Sequence, residues 1–234
     1  MDAETDLVEY ARTREGDEEL EPREFRWPVS AFYSHLASLM EPAYMKTAER
    51  IQLPDEARTV FEAGAGDGRF SAALARTYPH LEEIVASDIA RDMARRAGKR
   101  AETLGLADTI RPDVQDVQAL TYADSSFDAA VSLFSLHHWP KPELGLRELD
   151  RVLKPGGLLA VVDGFGRPSL RELHGLVKGF GGSVFSAMAF CLGSKDTLRL
   201  DELERAVRDS GLSYIEMVLE GPVALLRGEK PGIP

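Results

Sequence analysis

Residues 60–75 of the chain read VFEAGAGDGRFSAALA. Val60 to Ala63 is a short apolar run carrying one acid, Glu62, and it reads as a strand. Phe70, Leu74 and Tyr78 then recur at four-residue spacing, which gives a helix one apolar face to lay on a sheet. Between the two stand Gly64, Gly66 and Gly68. Glycine has no Cβ, so it takes left-handed dihedrals without a clash and lets a ligand approach the main chain. A turn of this kind lies at the carboxyl end of its strand, where open α/β sheets bind their ligands.

Outward from this turn, apolar runs alternate with helical patterns, the pattern of βαβ units and a mostly parallel sheet. Strands are predicted at 60–63, 84–87, 109–114, 129–134 and 158–162. A helix over about 143–153 should be stopped by Lys154-Pro155-Gly156-Gly157, which hands the chain to the next strand. Near the end, Asp201 is expected to cap a helix that stops at Gly211. Two further runs, 214–219 and 223–227, flank Glu220-Gly221-Pro222 and should pair as an antiparallel hairpin. The predicted class is α/β, a seven-stranded, mostly parallel sheet with helices on both faces and an antiparallel last hairpin.

The domain organisation follows. Residues 1–24 hold ten acids and three bases, an acidic tail that carries about −7 of the formal net charge of −11. Residues 25–58 form a helical N-terminal cap, with Phe32, Leu36, Leu39 and Met40 at helical spacing and Pro42 and Pro54 as punctuation. Residues 59–234 form the main domain, in which the glycine-rich, phenylalanine-rich segment 164–197 is a lid or substrate insertion. The net acidity and the lack of a dense Lys/Arg stripe with interleaved aromatics argue against a nucleic-acid partner. The basic run Arg91 to Arg100 reads as a solvated helix face. Cys191, the one cysteine, rules out an internal disulfide and a multi-thiolate metal site. With no long apolar run for membrane insertion and no basic leader, the expected location is cytoplasmic.

The acids near the turn select the ligand. A dinucleotide fingerprint needs its third glycine three positions after the second, but Arg69 stands there. Glu62, two residues before the first glycine, suits a cationic group and would repel a pyrophosphate. Asp88 ends the second strand, placed to accept both hydroxyls of a ribose, and Asp116 follows the third, where it could accept from an exocyclic amine. Ribose, adenine and an ammonium together describe S-adenosylmethionine.

Glu62-Ala63-Gly64-Ala65-Gly66-Asp67-Gly68, Asp88, Asp116-Val117, Ser126-Phe127-Asp128 with Phe134-Ser135-Leu136-His137-His138, and Arg151-Val152-Leu153-Lys154-Pro155-Gly156-Gly157 stand in order along the chain. In this they resemble the class I S-adenosylmethionine-dependent methyltransferases, and within them the small-molecule group typified by ubiquinone/menaquinone-biosynthesis enzymes. The resemblance implies a Rossmann-like sheet. It also implies that Gly64, Ala65, Gly66 and Gly68 wrap the methionine portion of the cofactor, with Glu62 near its ammonium. Asp88 would hold the ribose, Ile89 would pack on the adenine, and Asp116 and Val117 would contact the adenine amine and ring. Leu133 and Phe134 would border the sulfonium, and Tyr33 is the candidate aromatic over the cofactor.

A sulfonium is an activated methyl donor, so the main demand on the protein is alignment and exclusion of water. His138 is the candidate to orient the acceptor or take its proton, ahead of His35 and Tyr33. Adjacent histidines on a turn do not converge as an i,i+4 pair does, so no metal is assigned. The expected activity is methyl transfer to a small, partly apolar acceptor, leaving S-adenosylhomocysteine. A nucleotide-dependent oxidoreductase and a non-catalytic cofactor-binding protein are the competing readings.

Overall fold

The computed structural model describes residues 41–165, 198–220 and 223–232. The acidic tail, Tyr33, most of the N-terminal cap and nearly all of 164–197 lie outside the described residues. Five helices, α1 (Glu41–Ile51), α2 (Arg69–Thr77), α3 (Arg91–Leu104), α4 (Pro142–Val152) and α5 (Leu200–Ser210), accompany seven strands among the described residues. The strands are β1 (Thr59–Ala63), β2 (Glu83–Asp88), β3 (Ile110–Val114), β4 (Phe127–Leu133), β5 (Leu153–Gly164), β6 (Glu216–Glu220) and β7 (Val223–Glu229). They form one sheet in the order β3-β2-β1-β4-β5-β7-β6. β1 to β5 are parallel, and β7 pairs antiparallel with both β5 and β6.

Side-chain alternation explains the layers. Val60, Ile84, Ala129, Val131, Leu158 and Ala160 face one side, where Ala48 and Ile51 of α1, Phe70 and Leu74 of α2, and Ala97 and Ala101 of α3 cover them. Phe61, Ala63, Val85, Ala130, Leu159 and Val161 face the other, under Leu146, Leu149 and Val152 of α4 and Leu203 of α5. Central strands covered on both faces have no need of polar alternation, so β1, β4 and β5 are apolar almost throughout. Glu62 is the one charged residue of β1, and as a neighbour of Val60 in the period-two pattern it points toward α2. No helix among the described residues is long and apolar enough to cross a membrane.

Pro42 is the second residue of α1 as described. Two local expectations are corrected. Lys154-Pro155-Gly156-Gly157 is not a break before the strand. Leu153 already pairs with Phe127, and the register shifts before Leu158 meets Ala129. Gly156 takes φ +79°, and its N–H donates to Lys230 O at 2.8 Å, so a tertiary partner holds the extra residues in the strand as a bulge. Finally, α5 is capped from Arg199 rather than Asp201, the Glu202 carboxylate accepting the Arg199 N–H at 2.8 Å. Its end at Gly211 is as expected.

Candidate functional site

Strand order brings the carboxyl ends of β1, β2, β3 and β4 side by side. Ala63 pairs with Ser87 on one flank and Ser132 on the other, and Asp88 pairs with Val114. The glycine turn therefore lies between the ends of β2 and β4. Gly64, Gly66 and Gly68 have φ of +69°, +55° and +78°, so all three use the left-handed region that a Cβ disfavours. They differ in what surrounds them. A Cβ on Gly64 would lie 1.9 Å from Ser135 Oγ, and one on Gly68 would lie 2.9 Å from the Ala97 Cβ. At Gly66 nothing among the described residues stands within 4 Å. Two of the glycines let loops and helices close on the turn, and the third keeps a face of its main chain open.

The end of β4 is fixed through the same turn. Trp139, buried against Gly145, donates its indole N–H to Ser135 Oγ at 3.1 Å, and Ser135 is the residue seated on Gly64. Trp139 thus braces the loop. Phe134 adopts φ +52°, a costly conformation for a bulky side chain, while its N–H donates to Val162 O at 2.8 Å. Leu133, just before it, is buried.

Asp88 holds the turn as well as standing beside it. Its Oδ2 accepts the Gly66 N–H at 2.9 Å and its Oδ1 accepts the Ala90 N–H at 2.9 Å. Each carboxylate oxygen has a second lone pair, so these bonds leave acceptor capacity for a diol. Burial pushes the Asp88 carboxyl up, against the lowering effect of those N–H donors. The Ala65 N–H donates to Ser87 O at 2.8 Å, a further tie between turn and β2. Ile89 follows Asp88 at partial exposure. Beyond β3, Asp116 Oδ1 accepts the Gln118 N–H at 2.8 Å, and the Gln115 N–H reaches Asp88 O at 3.3 Å. Asp116 is thus both a turn former and a neighbour of the Asp88 strand end. Val117 packs on the core of the α4–α5 face.

Glu62 is 1% exposed, and the Ser71 hydroxyl of α2 donates to its Oε2. Burial pushes its carboxyl from 4.5 up to about 7; the Ser71 bond opposes this, and the nearby Asp88 and Asp67 charges add to it. A buried acid without a countercharge holds its proton near neutrality and gives it up when a cation arrives. Among the described residues no cation pairs with Glu62, so this pocket suits a positively charged ligand group.

His137 and His138 lie on a short 3₁₀ turn, Leu136–His138, after β4. The pairing of His137 with Asp163 is absent from the sequence reading. Asp163, buried at the end of β5, accepts the His137 N–H at 2.9 Å and lies 2.7 Å from its Nδ1. The two residues are far apart in sequence, and only strand register brings them together. His138 is exposed, its ring centroid 4.0 Å from that of His137. Ser71 and Asp163 are side chains of this region that motif reading overlooked, and Ser135, quoted within a motif, was given no role there; their one signal is their place near strand ends.

Comparison with known proteins agrees with this geometry. Residues 61–161 match a family model described as a methyltransferase domain. That match, with the relatives and the fold neighbour that follow, supports a class I S-adenosylmethionine-dependent methyltransferase. It is 32% identical over 155 residues to methyltransferase GfsG of Streptomyces halstedii, covering 66% of this chain and spanning about half, 55%, of that relative. It is 26% identical over 187 residues to the ubiquinone/menaquinone biosynthesis C-methyltransferase UbiE of Enterobacter sp. (strain 638), covering 74% of each chain. A crystal structure of a Methanococcus maripaludis protein described as an S-adenosyl-L-methionine-dependent methyltransferase superposes with a TM-score of 0.71 at 24% identity, over 94% of this chain and 99% of that one. That likeness concerns the fold. S-adenosylmethionine is the family's cofactor, and the open main chain at Gly66, the acceptor capacity of Asp88 and the buried Glu62 fit its diol and its cationic end.

Proposed function

We propose that this methyltransferase-family protein transfers a methyl group from S-adenosylmethionine to a small, partly apolar molecule by direct in-line displacement. The observation that carries the reading is the buried, cation-seeking Glu62 beside a glycine turn whose Gly66 is tied to Asp88. When bound, S-adenosylmethionine supplies an already activated methyl group. The chain's own residues then have to bind, orient and exclude water.

In this reading Glu62 compensates the ammonium, Gly64, Ala65, Gly66 and Gly68 cradle the methionine portion, and Asp88 accepts the ribose hydroxyls. Ile89, Asp116 and Val117 line the adenine, Leu133 and Phe134 border the sulfonium, and Tyr33 covers the cofactor from the cap. His138 orients the acceptor or holds its proton, beside a His137 ring steadied by Asp163. A partly apolar acceptor accords with the phenylalanines and methionine of 164–197 and with the quinone pathways in the name of the UbiE relative. A cytoplasmic location goes with this assignment.

Calorimetric titration with S-adenosylmethionine and S-adenosylhomocysteine, with NADH as control, tests the cofactor. Selective binding of the first two supports the reading, and a preference for NADH overturns it in favour of an oxidoreductase. Release of S-adenosylhomocysteine with an acceptor panel then separates an enzyme from a non-catalytic binder.

A further inference from the structure

The basic run on α3 is not uniformly the solvated face that its composition suggests. Arg95 and Arg96 do pair with Asp92 on their own helix. Arg100 leaves the helix instead. Its Nε donates to the main-chain oxygen of Asp67 at 2.7 Å, and its Nη2 donates to Asp67 Oδ2 at 2.6 Å. Asp67 lies between Gly66 and Gly68, and Arg69 Nε reaches the same Oδ2 at 3.2 Å. One turn of α3 earlier, Ala97 fills the space that Gly68 leaves open, since a Cβ there would lie 2.9 Å from the Ala97 Cβ.

We infer that Arg100 is a positioning residue for cofactor binding, which locks the glycine turn by gripping Asp67 through both its main chain and its side chain. The inference rests on the reading of that turn as the seat of S-adenosylmethionine. Three consecutive alternate glycines make a turn with many accessible conformations, and binding then has to overcome their entropy. Asp88 restrains the turn at Gly66 from β2, and Arg100 restrains it at Asp67 from α3, so the two contacts hold adjacent residues from different elements. A planar guanidinium is suited to a two-point hold of this kind, whereas a lysine ammonium would keep one contact. The Arg100 side chain is 27% exposed and that of Asp67 24%, so removing the pair opens no core cavity.

The test is calorimetric titration with S-adenosylhomocysteine at 10 °C on the full chain, comparing wild type, Arg100→Ala, Arg100→Lys, Asp67→Ala and the double variant Asp67→Ala/Arg100→Ala. Circular dichroism and a thermal melt accompany each variant. The expected result is an affinity lower by about five- to tenfold in Arg100→Ala, an intermediate loss in Arg100→Lys, and a double variant no worse than Arg100→Ala. A purely structural role would lower the melting temperature and leave the affinity of the folded protein unchanged, and that outcome overturns the inference. If Arg100→Ala fails to fold, Arg100→Lys carries the same comparison. A wild-type protein that binds neither S-adenosylhomocysteine nor S-adenosylmethionine overturns the cofactor reading itself; wild-type binding with an unaffected Arg100→Ala overturns only the clamp.

Discussion

Ser71, in the first turn of α2, donates its hydroxyl proton to Glu62 at the end of β1, and both side chains are sealed from solvent. One neutral donor does not offset the burial of a charge, which is why the Glu62 carboxyl is pushed up to about 7. The folded protein therefore holds a proton that the unfolded chain gives up at about 4.5. This contribution to stability is fully present below 4.5 and is lost as pH rises through 7, a difference of about 3 kcal/mol. Glu62→Gln should remove that slope, making the cofactor-free protein relatively more stable at pH 8, while weakening S-adenosylmethionine binding. Urea unfolding at pH 5 and pH 8 measures the first effect; an unaltered slope would reject Glu62 as its source.

Gly64 and Gly66 should separate folding from binding. Both substitutions to alanine place a Cβ at positive φ, costing about 1–2 kcal/mol. Gly64→Ala also drives that Cβ into Ser135, and with it the loop braced by Trp139, so it should be the more destabilising in a thermal melt. Gly66→Ala meets no atom of the described residues within 4 Å and should fold, but its methyl enters the open face of the turn. Its cofactor affinity is expected to fall by tenfold or more, roughly 1.4 kcal/mol, in a titration.

Asp88→Ala removes the proposed ribose contacts and the bond to Gly66 together. An affinity loss of about 1–3 kcal/mol is expected. Asp88→Asn retains one acceptor oxygen and should lose less. Equal affinity in a folded Asp88→Ala protein would remove Asp88 from the site.

Asp128 belongs to the motif set but not to the site. Partial burial would raise its carboxyl, yet Lys154, the N–H groups of Arg58 and Thr59 and the Thr59 hydroxyl outweigh this and hold it at about 2. All these groups lie at the amino ends of β1, β4 and β5 or just before them, opposite the glycine turn. With its folded value below the ordinary 3.8, Asp128 contributes stability above that pH and loses it as pH falls through 2. Because its side chain is 24% exposed and partly screened, Asp128→Asn should cost only about 1 kcal/mol in denaturant unfolding at pH 7. Cofactor affinity should be unchanged.

The sequence by itself determined most of the elements and the glycine turn, because those depend on local rules. Period-two and four-residue spacing marked β1 and α2, left-handed dihedrals demanded glycine at 64, 66 and 68, and Asp88 and Asp116 stood at predicted strand ends. The family resemblance was legible for the same reason. Only tertiary structure decided which distant side chains meet. It paired His137 with Asp163, sent Arg100 across to Asp67, seated Ser135 on Gly64 and assigned Asp128 to the far end of the sheet. It also kept Lys154-Pro155-Gly156-Gly157 within β5, because Lys230 supplies a partner that no local pattern announces. Such contacts are set by strand order and helix placement, and their energies depend on burial, which a one-dimensional pattern of residue types does not contain.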